Sequence, residues 1–222
     1  MDCLSGGKSG HEWRYRGMGM HLDTVEVSSG RRTAADIEPD SASAKMLAWV
    51  NGALSSGHPL LGRPNAVCPH AVPAAAHGDM WFEELTFGGV PTPAAMEVAV
   101  MTRIAVVKRL PRIGRAWRAL VVSFPEIDTA DDAERLIDGT QRQVRPCFVA
   151  AGLMIGEMHP WNTTPAKANP EGGFYPNRSP VSALTIRDMH PHDRSFLERE
   201  PDQALRRLLI ADFDRIMAQA HE

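Results

Sequence analysis

Cysteine is scarce in this 222-residue chain: Cys3, Cys68 and Cys147 are widely spaced, odd in number and never in a C-x-x-C pair. Neither a disulfide framework nor a structural zinc site is expected from them. No run of about 18 apolar residues exists, and no apolar segment follows the first methionine, so the reading has no membrane helix and no secretory leader. A cytoplasmic protein with reduced thiols is the expectation. No charge of one sign dominates either: 24 basic residues face 27 acidic ones, net -3. That balance carries no nucleic-acid or membrane footprint. Also missing are G-x-G-x-x-G after a strand, the P-loop, the G-x-S-x-G elbow and H-E-x-x-H, which disfavours nucleotide-binding and zinc-protease readings.

What is present is an ordinary globular core, with 43% hydrophobic residues. Residues 1–39 are rich in Gly, Ser, Arg and Asp without a sustained period. They read as a disordered or loosely attached arm, and 40–222 as a single globular domain. A helix is expected over 41–55, where Met46, Leu47, Val50 and Leu54 recur at helical spacing behind an Asp40 or Ser41 cap. A second runs over 92–109 with Thr92 as N-cap and Pro93 at the first position. A third starts at Thr129, with a kink or restart expected at Pro146 and an end at Gly152. A fourth covers 201–218. Strands are expected over 81–87, 117–124, 153–155 and 181–186. The basic residues between Arg103 and Arg118 read as a solvated helix face and the turn after it. These elements make an α+β (or two-layer α/β) fold, a mixed sheet of about four strands with helices packed on it.

Chemistry concentrates at Gly156-Glu157-Met158-His159-Pro160-Trp161, which follows an apolar run and opens a long loop rich in Pro, Gly and Asn. A histidine at the mouth of a buried strand suits an iron ligand or a general base, or else it caps the strand end and bonds a loop carbonyl. Glu157 turns away from Met158 if the strand continues, and lies close enough to orient His159 if the strand has ended. Trp161, Phe174 and Tyr175 line an apolar pocket or pin the loop. Cys68, in the proline-stiffened Val67-Cys68-Pro69-His70, is a candidate nucleophile or a small buried hydrophobe. Arg178 and Arg187 offer planar forks for carboxylates, or pair with surface acids. His190-Pro191-His192 reads as a solvated turn.

Val67-Cys68-Pro69, the 152–160 segment ending in His159-Pro160, Arg178-Ser179-Pro180 and Arg187-Asp188-Met189 together resemble an uncharacterised bacterial domain family found near genes of specialised metabolism. The resemblance spans 47–197. Many members of that family carry Phe where this chain has His70. The Cys-Pro and His-Pro pairs are also distantly similar to YqcI/YcgG-type proteins, some of them haem-dependent N-hydroxylases, although the arginine cluster expected after the His-Pro is missing here. That likeness implies haem as cofactor, with His159 as axial ligand. Arg178, Arg187 and Trp161 would then hold cofactor or substrate, and Cys68 and Glu157 would be the catalytic candidates. The function so implied is a haem-dependent oxidoreductase, a monooxygenase or N-hydroxylase, acting on a small amino-acid-like or nitrogenous metabolite. Two alternatives stand beside it: a cofactor-free enzyme using Cys68 and His159, and a non-catalytic binding or partner protein. Expected partners are a small-molecule substrate and a second copy in a homodimer.

Overall fold

The computed structural model describes residues 32–61, 63–111 and 118–219; the expected arm lies outside these as far as residue 31. In chain order the strands are β1 (Arg32–Thr33), β2 (Gly57–His58), β3 (Arg63–Ala66), β4 (Met80–Glu84), β5 (Ala119–Ser123), β6 (Leu153–Met158) and β7 (Ala183–Asp188). The helices are α1 (Ala42–Trp49), α2 (Ala71–Ala76), α3 (Pro93–Met101), α4 (Arg103–Arg109), α5 (Ala130–Asp132), α6 (Gly139–Ala150), α7 (Arg194–Leu197) and α8 (Gln203–Gln219). Strands β4, β5, β7 and β6 form a mixed sheet in that order. The β4–β5 pair is parallel and the other two are antiparallel. The short β1 pairs antiparallel with β4, and β2 and β3 make a separate small sheet. This is an α+β fold.

β5 is buried at every position. Its unbroken Leu120-Val121-Val122 run follows from having helices on both faces, so no position alternates to water. Leu120 and Val122 join the larger core with Met96, Val100, Leu136 and Phe148; Ala119 and Val121 join a second one with Met46, Val50 and Ala74. Helix α8 lays Leu209 and Phe213 against Val149 of α6 and Met154 of β6. β6 is an edge strand, and Gln141 of α6 donates to its Ile155 carbonyl at 3.1 Å, covering part of that edge.

Local sequence accounts for most of the boundaries. Ser41 and Thr92 cap α1 and α3 through their side-chain oxygens, and Thr129 caps α5 in the same way. Gly152 closes α6 in the left-handed region, at φ 73°, where a β-carbon would also come within 3.2 Å of Ile216. The long helices depart from expectation in two places. The 92–109 helix is jointed at Thr102, whose hydroxyl donates to the Ala99 carbonyl. The helix from Thr129 is irregular before Pro146, not at it. A π-helical stretch over Ala133–Asp138 joins α5 to α6, and α6 runs on through Pro146. The carbonyl that loses its donor to Pro146 belongs to Arg142, an exposed residue, so the missing bond does not end the helix. A second π-helical stretch, Val50–Leu54, extends α1. π-turns of this kind are frequent beside functional sites, and these two supply Asp138 and Leu54 to the region described next.

The two ends of the basic stretch correct the sequence reading, while Lys108 and Arg109 between them are exposed as expected. Arg103 and Arg118 are buried, not solvated, and each is paired with a carboxylate, Glu83 and Asp188 respectively. Neither partner is near in sequence, which is why spacing along the chain gave no sign of them.

Candidate functional site

His159 stands one residue past the end of β6 and is 3% exposed. Its Nε2 lies 3.0 Å from Asp138 Oδ1, and its buried Nδ1 has no partner among the described residues. The imidazole is thus held by the π-helical turn of the neighbouring helix. Glu157 does not orient it: β6 continues to Met158, and the Glu157 carboxylate instead accepts from the Thr164 hydroxyl at 3.3 Å. The backbone of His159 fastens both ends of the following loop. Its N–H donates to the Asn177 carbonyl at 3.2 Å, and its carbonyl accepts from Asn162 N–H at 3.1 Å. Trp161 is 39% exposed, with its ring 6.4 Å from that of His159. It lies outside the lining of the cavity formed by the other end of the loop.

That cavity, about 350 Å³, is walled by Trp49 of α1, His58 of β2, and Phe174, Tyr175 and Arg178 of the loop. The His58 and Phe174 rings stack at 3.9 Å with an 11° interplanar angle. The loop is anchored to the β2–β3 side by Asn169, which donates to the Leu60 carbonyl at 2.9 Å. The Arg178 guanidinium sits 4.1 Å over the Tyr175 ring, and its Nε donates to the Asn162 carbonyl at 2.8 Å. Its two terminal nitrogens carry no hydrogen bond or ion pair among the described residues. A guanidinium fixed at one nitrogen and one face, with its fork open beside aromatic walls, is a ready carboxylate receptor. Arg178, Phe174 and Tyr175 stand out in the sequence, whereas Trp49, His58, Asn162 and Asp138 do not. Trp49 stands three residues after Met46 and packs partly on the same core, so its helical spacing did not mark it as a cavity wall.

Cys68 and Arg187 belong to other surroundings. Cys68 is half-buried and packs on the second core beside Met158; its N–H donates to the carbonyl of Leu54, a cavity residue, but Cys68 itself does not line the cavity. The Arg187 fork is occupied by Asp193, at 2.7 and 2.6 Å. The His190-Pro191-His192 turn is capped by reciprocal bonds between His190 and Asp193. The fold brings His70 to this turn: its ring is 4.6 Å from that of His190, which is 4.7 Å from that of His192. Among the described residues, no three His, Cys, Asp or Glu side chains are disposed to hold a metal ion.

Burial, and then the Arg187 charge and the other two imidazoles, push the His70 pKa down to about 4 from 6.5. A histidine depressed in the folded state leaves the unfolded chain binding more protons between those two values. Its contribution to stability is therefore complete above about pH 6.5 and is lost as the pH falls towards 4. Solvent screening of this half-exposed ring reduces the effect to about 1 kcal/mol. Urea midpoints measured at pH 7.5 and 4.5 should fall further for the wild type than for His70→Phe. Equal falls would show that His70 is not the group responsible.

The fold and this cavity define the chain as an α+β domain with a small pocket of mixed aromatic and cationic character. By sequence it belongs to a family described as a domain of unknown function, DUF6875, whose model matches residues 43–221. No curated protein and no solved structure matches the chain.

Proposed function

We propose that this is a small-molecule-binding protein whose ligand occupies the cavity between Trp49, His58 and the 173–178 segment. The observation that carries the reading is the pairing of an aromatic-walled space of about 350 Å³ with the unoccupied fork of Arg178. Ligand sites span roughly 300–1,000 Å³ and combine apolar walls with a few fixed polar groups, and this cavity meets that description at its small end. Binding without catalysis is preferred because Cys68 and His159 are turned to different elements. Cys68 lies against the second core, while the His159 ring is enclosed against Asp138.

Haem ligation by His159, implied by the His-Pro likeness, does not fit the ring as placed. Nε2 is taken by Asp138, Nδ1 is buried, and 3% exposure leaves no open face for a macrocycle. Thermal unfolding of the wild type and Trp49→Ala against a metabolite library tests the binding reading. A ligand at about 100 times its Kd stabilises by about 2.7 kcal/mol, so at least one compound should raise the wild-type Tm and leave the variant unmoved. A library without any such compound would sink the proposal.

A further inference from the structure

Resting on that binding reading, we infer that the ligand is a flat aromatic carboxylic acid, and that Asp138, His159 and Asn162 position the arginine that recognises it. Among the described residues Arg178 is the one formally charged residue in the cavity lining, so this wall is cationic although the chain is net negative. Arg178 is exposed, with one face of its guanidinium on Tyr175, and a carboxylate oxygen pair matches its open fork in geometry as well as charge. Trp49, and the sides of Phe174 and Tyr175 not covered by His58 and Arg178, supply apolar surface for a ring. A cationic ligand would meet an unpaired like charge there, and an aliphatic acid would leave the aromatic faces unused.

The arginine is held by a chain of contacts reaching back to the helix. Asp138 Oδ1 meets His159 Nε2 at 3.0 Å, the His159 carbonyl takes Asn162 N–H at 3.1 Å, and the Asn162 carbonyl takes Arg178 Nε at 2.8 Å. Asn162 is 2% exposed, so this middle link is shielded from water. The Asn162 side chain is fixed in turn, its Oδ1 accepting from Thr164 N–H at 2.9 Å. His159 and Asp138 touch neither the cavity nor its ligand in this arrangement. They act by fixing the angle of the Arg178 fork.

Indole-3-acetate and its uncharged isostere indole-3-acetamide, titrated by NMR into the full chain, test both parts. The wild type should bind the acid at least about tenfold more tightly than the amide, the scale of one charge-assisted pair. Arg178→Gln should bring the two affinities within about threefold, and Trp49→Ala should weaken both alike. Arg178→Lys keeps the charge but not the fork, and should retain only part of the preference. Asp138→Ala should lower the acid-to-amide ratio while leaving amide affinity in place, a pattern that general loss of structure would not give. His159→Asn, which keeps the backbone links, should lower the ratio less than Arg178→Gln. Equal binding of acid and amide by the wild type, or a ratio unmoved by Arg178→Gln, would overturn the ligand class. A ratio unmoved by Asp138→Ala would overturn the positioning role. If the library yields a neutral or basic ligand lost in Trp49→Ala while the acids fail, the ligand class falls and the binding reading survives. Failure of every ligand removes both.

Discussion

Arg103→Met should destabilise the protein by about 3–5 kcal/mol, the range for breaking a buried pair and leaving its partner charged. The Arg103 side chain is 8% exposed and that of Glu83 1%. Their contact is a fork, Nε to Oε2 at 3.1 Å and Nη2 to Oε1 at 2.9 Å, and Nη1 further bonds the Ala99 carbonyl and the Thr102 hydroxyl. Removing the guanidinium strands the Glu83 carboxylate on the core face of β4. For a domain holding about 5–15 kcal/mol in total, that loss is a large part of the whole. The double variant Arg103→Met/Glu83→Leu should recover most of it, because apolar groups of similar volume remove the need for a partner. Urea denaturation of the two single variants and the double gives the coupling directly. A double variant as unstable as Arg103→Met alone would show that packing around the joint at Thr102, and not the stranded charge, sets the loss.

Arg118→Met should cost a comparable 3–5 kcal/mol, but here the matching change in the partner should rescue far less. Arg118 grips Asp188 through Nε at 3.0 Å and Nη2 at 2.8 Å, with both side chains below a tenth exposed. Its Nη1 also donates to the carbonyls of Lys108 and Leu110, at 3.2 and 3.1 Å, past the last bonded turn of α4. Asp188 in turn accepts the backbone N–H of Arg118. In Arg118→Met/Asp188→Leu the carboxylate is gone as well, but those two carbonyls and that N–H each lose a bond to Arg118 or Asp188, a loss of about 1–3 kcal/mol for a group left unsatisfied. The contrast between the two double variants is the measurement. Equal rescue in both would mean that the helix carbonyls find water, and that the capping role of Arg118 is negligible.

These two arginines also mark where sequence reading stops. Periodicity, caps and breakers placed α1, α3, α5, β5, β6 and α8 near their observed positions, because burial stripes and capping oxygens act within a few residues. By the same local signals Arg103 and Arg118 look like solvated surface. A charged residue on an apolar helix, or just ahead of a buried strand, looks exposed until the strand that carries its acid is known, and Glu83 and Asp188 lie 20 and 70 residues away. The joint at Thr102 and the π-helical turn before Asp138 were unreadable for the same reason, since tertiary packing imposes them on residues with ordinary helix propensity.

The candidate site divides along this line. The sequence alone determined that His159 closes a buried strand, that a long loop follows it, and that Phe174, Tyr175 and Arg178 stand near the far end of that loop. It left His159 open between ligand, base and strand cap, because the choice depends on what the ring faces. The tertiary structure decided that: Asp138 meets the imidazole, and the His159 backbone fixes Asn162 and through it Arg178. It also set Trp49 and His58, from the other end of the chain, across from Phe174, with Asn169 reaching Leu60 over 109 residues to hold them there. Local pattern encodes which side of an element is buried. Which elements then face one another is settled by topology and packing, and the cavity exists only at that level.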